Sequence, residues 1–119
     1  MTQIKVSELS GVALDWCVAK CEGTESLNSS FTPGRGFCIR GGDRYAPSTD
    51  WAQGGPIIER ERIHTMCPET GDFWDARKAG LSSALEKRYF RGPTPLIAAM
   101  RCYVASKMGD VVEVPDELI

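Results

Sequence analysis

The chain has 119 residues, 42% of them apolar and 25% charged, the make-up of an ordinary soluble domain with one small core. A formal net charge of −2 and an isoelectric point near 5.4 argue against general attraction to a phosphate polymer, so nucleic acid is not an expected partner. No apolar run reaches the length of a membrane span, and MTQIKVSEL has neither the charge nor the hydrophobic stretch of a signal peptide; the expectation is a cytoplasmic protein.

In LSGVALDWCVAKCEG, Leu9, Val12, Ala13, Trp16, Cys17 and Cys21 recur at three- and four-residue steps, which predicts an amphipathic helix near 9–22. Ser10 stands where an N-cap belongs, Leu9 and Leu14 where a hydrophobic staple belongs, and Gly23 where a helix ends. Trp16 then reads as a core anchor, with a stacking platform as the alternative. The cysteines number five, an odd set without an export signal, so reduced thiols are expected rather than a disulfide framework. Cys17 and Cys21 share a helical face but have no CxxC pair and only one histidine, His64, to complete a site. They read as buried apolar residues, and neither metal nor cofactor is expected.

Residues 24–36, TESLNSSFTPGRG, show no periodicity and predict a flexible loop. It leads into GRGFCIRGGDR, a short strand between glycines that carries Arg35, Arg40 and Arg44. Next comes YAPSTDWAQGGPIIERERI, in which Ser48, Thr49 and Asp50 resemble a helix cap and Gly54, Gly55 and Pro56 interrupt the helical pattern. A helix through that interruption would carry two glycines at ~1 kcal/mol each and a proline at ~3 kcal/mol. The expectation is therefore a capped turn over 48–53, a break at Gly54-Gly55, and a short helix near 56–63 that begins on Pro56.

ERIHTMCPETGDFWDARKA predicts a hairpin near 63–78 around a Pro68–Asp72 turn, whereas GLSSALEKRYFRG has weak signals that fit a loop, a single helical turn or a short edge strand. GPTPLIAAMRCYVASKMGD predicts a helix near 94–108, with Thr94 as N-cap, Pro95 at the first helical position, Gly109 at the far end, and Arg101 and Lys107 on the exposed or flanking surface. IKV and VEVP have matching alternation and are expected to pair as the two ends of the chain. Together these elements predict one α+β domain spanning 1–119, with helices packed on a small antiparallel sheet in an α/β/α sandwich-like arrangement.

The same segments, above all PSTDWAQGGPIIERE and GPTPLIAAMRCYVASK, resemble the NinX-like proteins of tailed bacteriophages, a family of unknown function, over nearly the whole chain. More distantly, Leu14-Asp15, Val18-Ala19, Ser48-Thr49-Asp50 and Arg101-Cys102 resemble the phage ABA sandwich domain, whose helices flank a small antiparallel sheet; there the helix that Gly-Gly-Pro interrupts here is continuous. The resemblance implies a small accessory protein made inside the infected bacterium. It implies no reaction and brings no catalytic residues.

The residues themselves favour binding over catalysis. An enzyme would have to recruit His64 with Cys67, or carboxylates among Asp50, Glu59 and Glu61, and no spacing selects them. Glu59, Arg60, Glu61 and Arg62 read as a solvated face. The helix starts at Ser48, Thr49 and Asp50 and at Thr94 present unpaired amides, and Gly54 and Gly55 can expose more. With Arg35, Arg40 and Arg44 near and Tyr45 or Trp51 to stack, they form a candidate site for an anionic small molecule, a nucleotide or a host protein. The alternatives are that these residues only cap and pack turns, that the chain is a structural or self-associating module, or that it is a small enzyme.

Overall fold

The structure, a computed structural model, describes residues 2–22, 30–31, 38–40, 43–69, 71–78 and 89–118, with 30–31, 38–40, 43 and 117 followed as backbone alone. Strand β1 (Thr2–Lys5) runs through a 3₁₀ turn (Val6–Glu8) into helix α1 (Gly11–Cys21). Strands β2 (Ser30–Phe31), β3 (Cys38–Arg40) and β4 (Asp43–Tyr45) precede helix α2 (Trp51–Glu61). Strands β5 (Ile63–Met66), β6 (Trp74–Lys78) and β7 (Phe90–Gly92) follow, then helix α3 (Pro95–Met108), strand β8 (Val111–Val114) and a closing 3₁₀ turn (Asp116–Leu118). This is an α+β fold, and in place of one small sheet the described residues form three antiparallel ones, β1–β8, β2–β3–β4 and β5–β6–β7.

The two ends of the chain pair as their alternation requires, with Ile4 opposite Val112 and Lys5 opposite Val111. The hairpin over 63–78 forms as β5 and β6, and the unassigned YFRG supplies the third strand, with Thr65, Ala76 and Phe90 in line across the sheet. Of the loop expected at 24–36, Ser30–Phe31 is a strand instead, paired with β3; the remainder, and Gly23, lie outside the described residues.

Helix α3 organises the interior. It packs on β5, β6 and β7 and also meets α1, α2 and β8. Leu96, Ala98, Met100, Cys102, Tyr103 and Val104 are all buried, so apolar residues occupy most of its circumference, as a helix covered from more than one direction requires. Thr94 Oγ1 accepts from the Ile97 amide at 3.1 Å, and the helix stops at Gly109, whose φ of 90° favours glycine. Arg101, expected on the exposed or flanking surface, is half-buried on the flank: its Nε donates to the Leu9 carbonyl and its Nη1 to the Arg91 carbonyl, each at 2.7 Å. It joins the approach to α1 to the edge strand β7.

Helix α1 buries Leu14, Cys17 and Val18, and its staple residues Leu9 and Leu14 are both inside. Ser10 holds the N-cap position without a side-chain cap bond. Trp16 is half-buried at the margin of the core rather than within it, with Lys20 Nζ 5.1 Å from its ring centroid.

Helix α2 corrects the expected break. It starts at Trp51, not Pro56, and runs unbroken through Gly54, Gly55 and Pro56. Packing requires Gly54: a Cβ there would lie 2.3 Å from the Pro47 carbonyl oxygen and 2.6 Å from Leu96 Cδ2. The helix thus uses the missing side chain to close on α3 and on the preceding turn, contacts that offset weak propensity. Pro56 and Ala52, four residues before it, are both exposed, so water reaches the carbonyl that proline leaves without a donor.

The far end of α2 is solvated at Glu59, Arg60 and Arg62, as expected, while Glu61 is not, and charge fixes it in place. Arg60 donates to both carboxylate oxygens of Glu22, at 3.0 and 2.6 Å, and to Glu61 at 2.9 Å. Tyr103 donates to Glu22, and Lys78 reaches Glu61 at 3.0 Å. Four elements, α1, α2, α3 and β6, are tied at one place. Burial pushes the Glu61 carboxyl up, but its bonds to Arg60 and Lys78 and the nearby lysine charges outweigh that and leave it below the ordinary glutamate value.

Gly54→Ala lowers unfolding free energy by about 1–3 kcal/mol through overpacking. Gly55→Ala, whose Cβ meets only Trp51 Cε3 at 3.9 Å, raises it by about 0.5–1 kcal/mol through helix propensity. Urea denaturation of the two variants checks the opposite signs. For Glu61 the folded carboxyl holds its proton less tightly than the unfolded one, so its contribution is complete above 4.5, the ordinary value, and is lost as pH falls through the folded value. Glu61→Gln gives a shallower acid decline in stability than the parent, read by denaturation from neutral pH to about pH 3.

Candidate functional site

The turn before α2 is assembled by three different parts of the chain. The amides of Thr49 and Asp50 donate back to the Ala46 carbonyl at 3.1 and 2.8 Å. Gln53, on the first turn of α2, accepts from the Ala46 amide at 2.6 Å and donates to the Arg44 carbonyl at 2.7 Å. From α1, Asp15 Oδ1 accepts from the Ser48 amide at 2.9 Å. Among the described residues Asp15 and Ser48 are the buried polar pair, and the Ser48 hydroxyl has no well-formed hydrogen bond of its own. Burial pushes the Asp15 carboxyl up, opposed by Ser48 and by the charge of Arg44.

Around this turn the structure gathers most of the candidate residues that fall within its described part. Arg44, Thr49 and Asp50 line a hollow of about 240 Å³ with Ala46 and Gln53. Ser48, Thr49, Trp51 and Thr94 line a second of about 180 Å³ with Pro95, Leu96 and Ile97, where the starts of α2 and α3 meet. Thr49 belongs to both. Tyr45 is buried in the core, so its ring is not a stacking surface. Arg40 lies in β3 as backbone alone, and Arg35 is outside the described residues.

The expected exposed amides are largely occupied. In α2 the Ala52 amide goes to the Asp50 carboxylate at 2.9 Å, and those of Gln53 and Gly54 go to the Asp50 carbonyl. In α3 the amides of Ile97 and Ala98 go to Thr94, and Pro95 has none. Gly54 is buried against Pro47 and Leu96, and Gly55 sits inside the helix. Asp50 places a carboxylate where an anion would have to sit, so these helix starts cap themselves rather than offer an anion cradle. What remains accessible is side-chain surface: Trp51, 56% exposed, with exposed Thr49 lining the same hollow and exposed Arg44 on the neighbouring one.

A larger opening lies where no site was expected. Lys5, Ser7, Asp75, Tyr89, Arg91, Asp110 and Val111 surround a cleft of about 660 Å³ over Val6 and Phe90. Half of it was legible in the pairing of the chain ends, which sets Lys5 opposite Val111. The other half depends on Tyr89 and β7, a stretch YFRG that carries neither a period nor a turn signal.

The thiols of Cys17, Cys21 and Cys102 are pushed up to about 12, by burial first in each case, and so stay protonated at neutral pH, the unreactive form. His64 is exposed on the outer face of β5, opposite Arg77. Exposed Cys67 lies beyond the end of that strand, with Sγ 3.7 Å from the Pro68 carbonyl. Among the described residues no group of three or more His, Cys, Asp or Glu side chains could hold a metal ion, and no helix is long and apolar enough to cross a membrane.

The Asp15 bond sets an expectation. Asp15→Ala strands the buried Ser48 amide and costs about 1–3 kcal/mol, whereas Asp15→Asn keeps an acceptor for it. Because the folded carboxyl of the parent holds its proton more tightly than the unfolded one, parent stability falls as pH rises from 3.8, the ordinary value, through the folded value. Asp15→Asn lacks that decline and gains on the parent over the same interval, as denaturant titrations at stepped pH measure.

The family model described as "Bacteriophage P22, NinX" matches residues 5–107, and the chain belongs to that family. Comparison with curated proteins finds no match.

Proposed function

We propose that this phage accessory protein acts by binding, and that it engages a host protein through the surface around Trp51. The observation that supports this reading is the exposure of Trp51, 56% open to solvent, at the first residue of a helix whose approach is rigidly held. Its ring rests over Gly55 one helical turn on, and the preceding turn is tied to α1 through Asp15 and to α2 through Gln53. A large aromatic side chain on a fixed base loses little conformational freedom on association.

The size of the flanking hollows favours a protein over a small molecule. At about 240 and 180 Å³ they fall below the roughly 300 Å³ at which small-molecule pockets usually begin. An anchor with shallow polar surroundings is instead the pattern of a protein contact, where Trp and Arg carry much of the energy. Thr49 and Asp50, beside exposed Arg44, supply such a rim.

The test is affinity capture with chemical crosslinking from infected host cells, comparing the parent with Trp51→Ala. A host protein is expected to be retained by the parent and reduced by roughly 30-fold in affinity for the variant, the loss of about 2 kcal/mol typical of an anchor. The variant's stability should stay within about 0.5 kcal/mol of the parent, as for a surface substitution. Equal retention by a correctly folded Trp51→Ala protein would overturn the reading.

A further inference from the structure

We infer that the open cleft between β1, the first 3₁₀ turn, β7 and the start of β8 is a second site, one that takes an aromatic anion of mononucleotide type. It is separate from the Trp51 surface and does not depend on it. At about 660 Å³ it lies within the roughly 300–1,000 Å³ of small-molecule sites. Its floor is apolar, made by Val6 and Phe90, both buried.

The walls are held before any ligand arrives. The Val6 amide donates to the Asp110 carbonyl at 2.8 Å, and Lys5 is in register with Val111 on the β1–β8 ladder. On the opposite wall, Arg101 fixes the Arg91 carbonyl to the backbone at Leu9. That bond also occupies an acceptor of edge strand β7, which makes the cleft a poor place for an added peptide strand to complete a ladder. Fixed walls lower the cost of ordering a ligand.

The lining contains both signs, Lys5 and Arg91 with Asp75 and Asp110, and its two cations both reach solvent. Arg91 pairs with Asp75 at 3.5 Å, and their side chains are 64% and 15% exposed respectively, so the cation of the pair meets solvent while the carboxylate is turned inward. The Arg91 guanidinium is further held against the Phe73 ring, 3.5 Å from its centroid. Lys5 and the Ser7 hydroxyl are exposed on the facing wall. A phosphate between them would meet one fixed guanidinium, one ammonium and one hydroxyl donor.

An aromatic partner for the ligand is present as well. Tyr89 is 47% exposed, and Arg77 lies over its ring at 5.6 Å from the centroid, which steadies the ring while leaving surface for a planar base. Asp110 adds a carboxylate to the same lining, an acceptor suited to sugar hydroxyls or an exocyclic amine. Stacking surface, phosphate donors and a hydroxyl acceptor in one cleft are the three contacts that a mononucleotide combines.

Isothermal titration of the full chain with the four ribonucleoside 5′-monophosphates, their nucleosides and inorganic phosphate tests this. At least one monophosphate should bind roughly tenfold or more tightly than both its nucleoside and phosphate. Tyr89→Ala should weaken it roughly tenfold, and Lys5→Gln should weaken it and reduce its salt dependence, while Trp51→Ala leaves it unchanged. Absence of saturable binding of any monophosphate at millimolar concentration overturns the inference. So does binding of phosphate alone, or binding that survives both Tyr89→Ala and Lys5→Gln.

Discussion

One buried carboxylate decides how the helices of this protein meet. Asp15 lies among Leu14, Cys17 and Val18 on the buried side of α1, where a charged group is costly unless its acceptors are used. It is used on the Ser48 amide, which sits in a turn with little regular ladder to satisfy it. That bond places the turn, the turn places Asp50 as cap of α2, and α2 then descends with Gly54 against Pro47 and Leu96. A carboxylate on one helix, an amide in a loop and a glycine on a second helix thus form a single chain of constraint. The Trp51 surface is its outer end.

The opposite end of α2 is fixed by other means. Arg60 and Glu61 face Glu22, Tyr103 and Lys78, and the bidentate Arg60–Glu22 geometry is the arrangement in which an ion pair gains directionality as well as charge. Arg60 itself is half exposed, so solvent screens the pair and its role is more to set the orientation of α2 than to supply a large free energy. An α2 held at one end by close packing and at the other by charge has little freedom to tilt on α3.

Much of the architecture was legible from pattern alone. Helices α1 and α3, the hairpin and the pairing of the chain ends all follow from periodicity, because a period reports which face is buried whatever covers it. Gly54-Gly55-Pro56 was misread because propensity prices a residue in isolation. The Gly54 position is determined by a carbonyl and a leucine from elsewhere in the chain, and the Pro56 position by water at an exposed face. Asp15 was invisible for the same reason: an aspartate within an apolar helical stripe carries no local sign of the amide it will meet. Arg101, read as a flank residue, joins two segments that sequence does not bring together.

The candidate site shows the same division between local and distant information. Its residues do gather, since Ser48, Thr49, Trp51 and Thr94 mark two helix starts and the start of α2 meets the first turn of α3. Their chemistry nevertheless differs from what the sequence suggested, because the features that announce a helix start, Asp50 and Thr94, are the groups that consume its free amides. A strong cap therefore argues against an anion site at the same terminus. Cationic and aromatic side chains lie instead beside β7, on Lys5, Tyr89 and Arg91 with Asp75 and Asp110 among them, where two sheets and a 3₁₀ turn leave a space that neither helix start could provide.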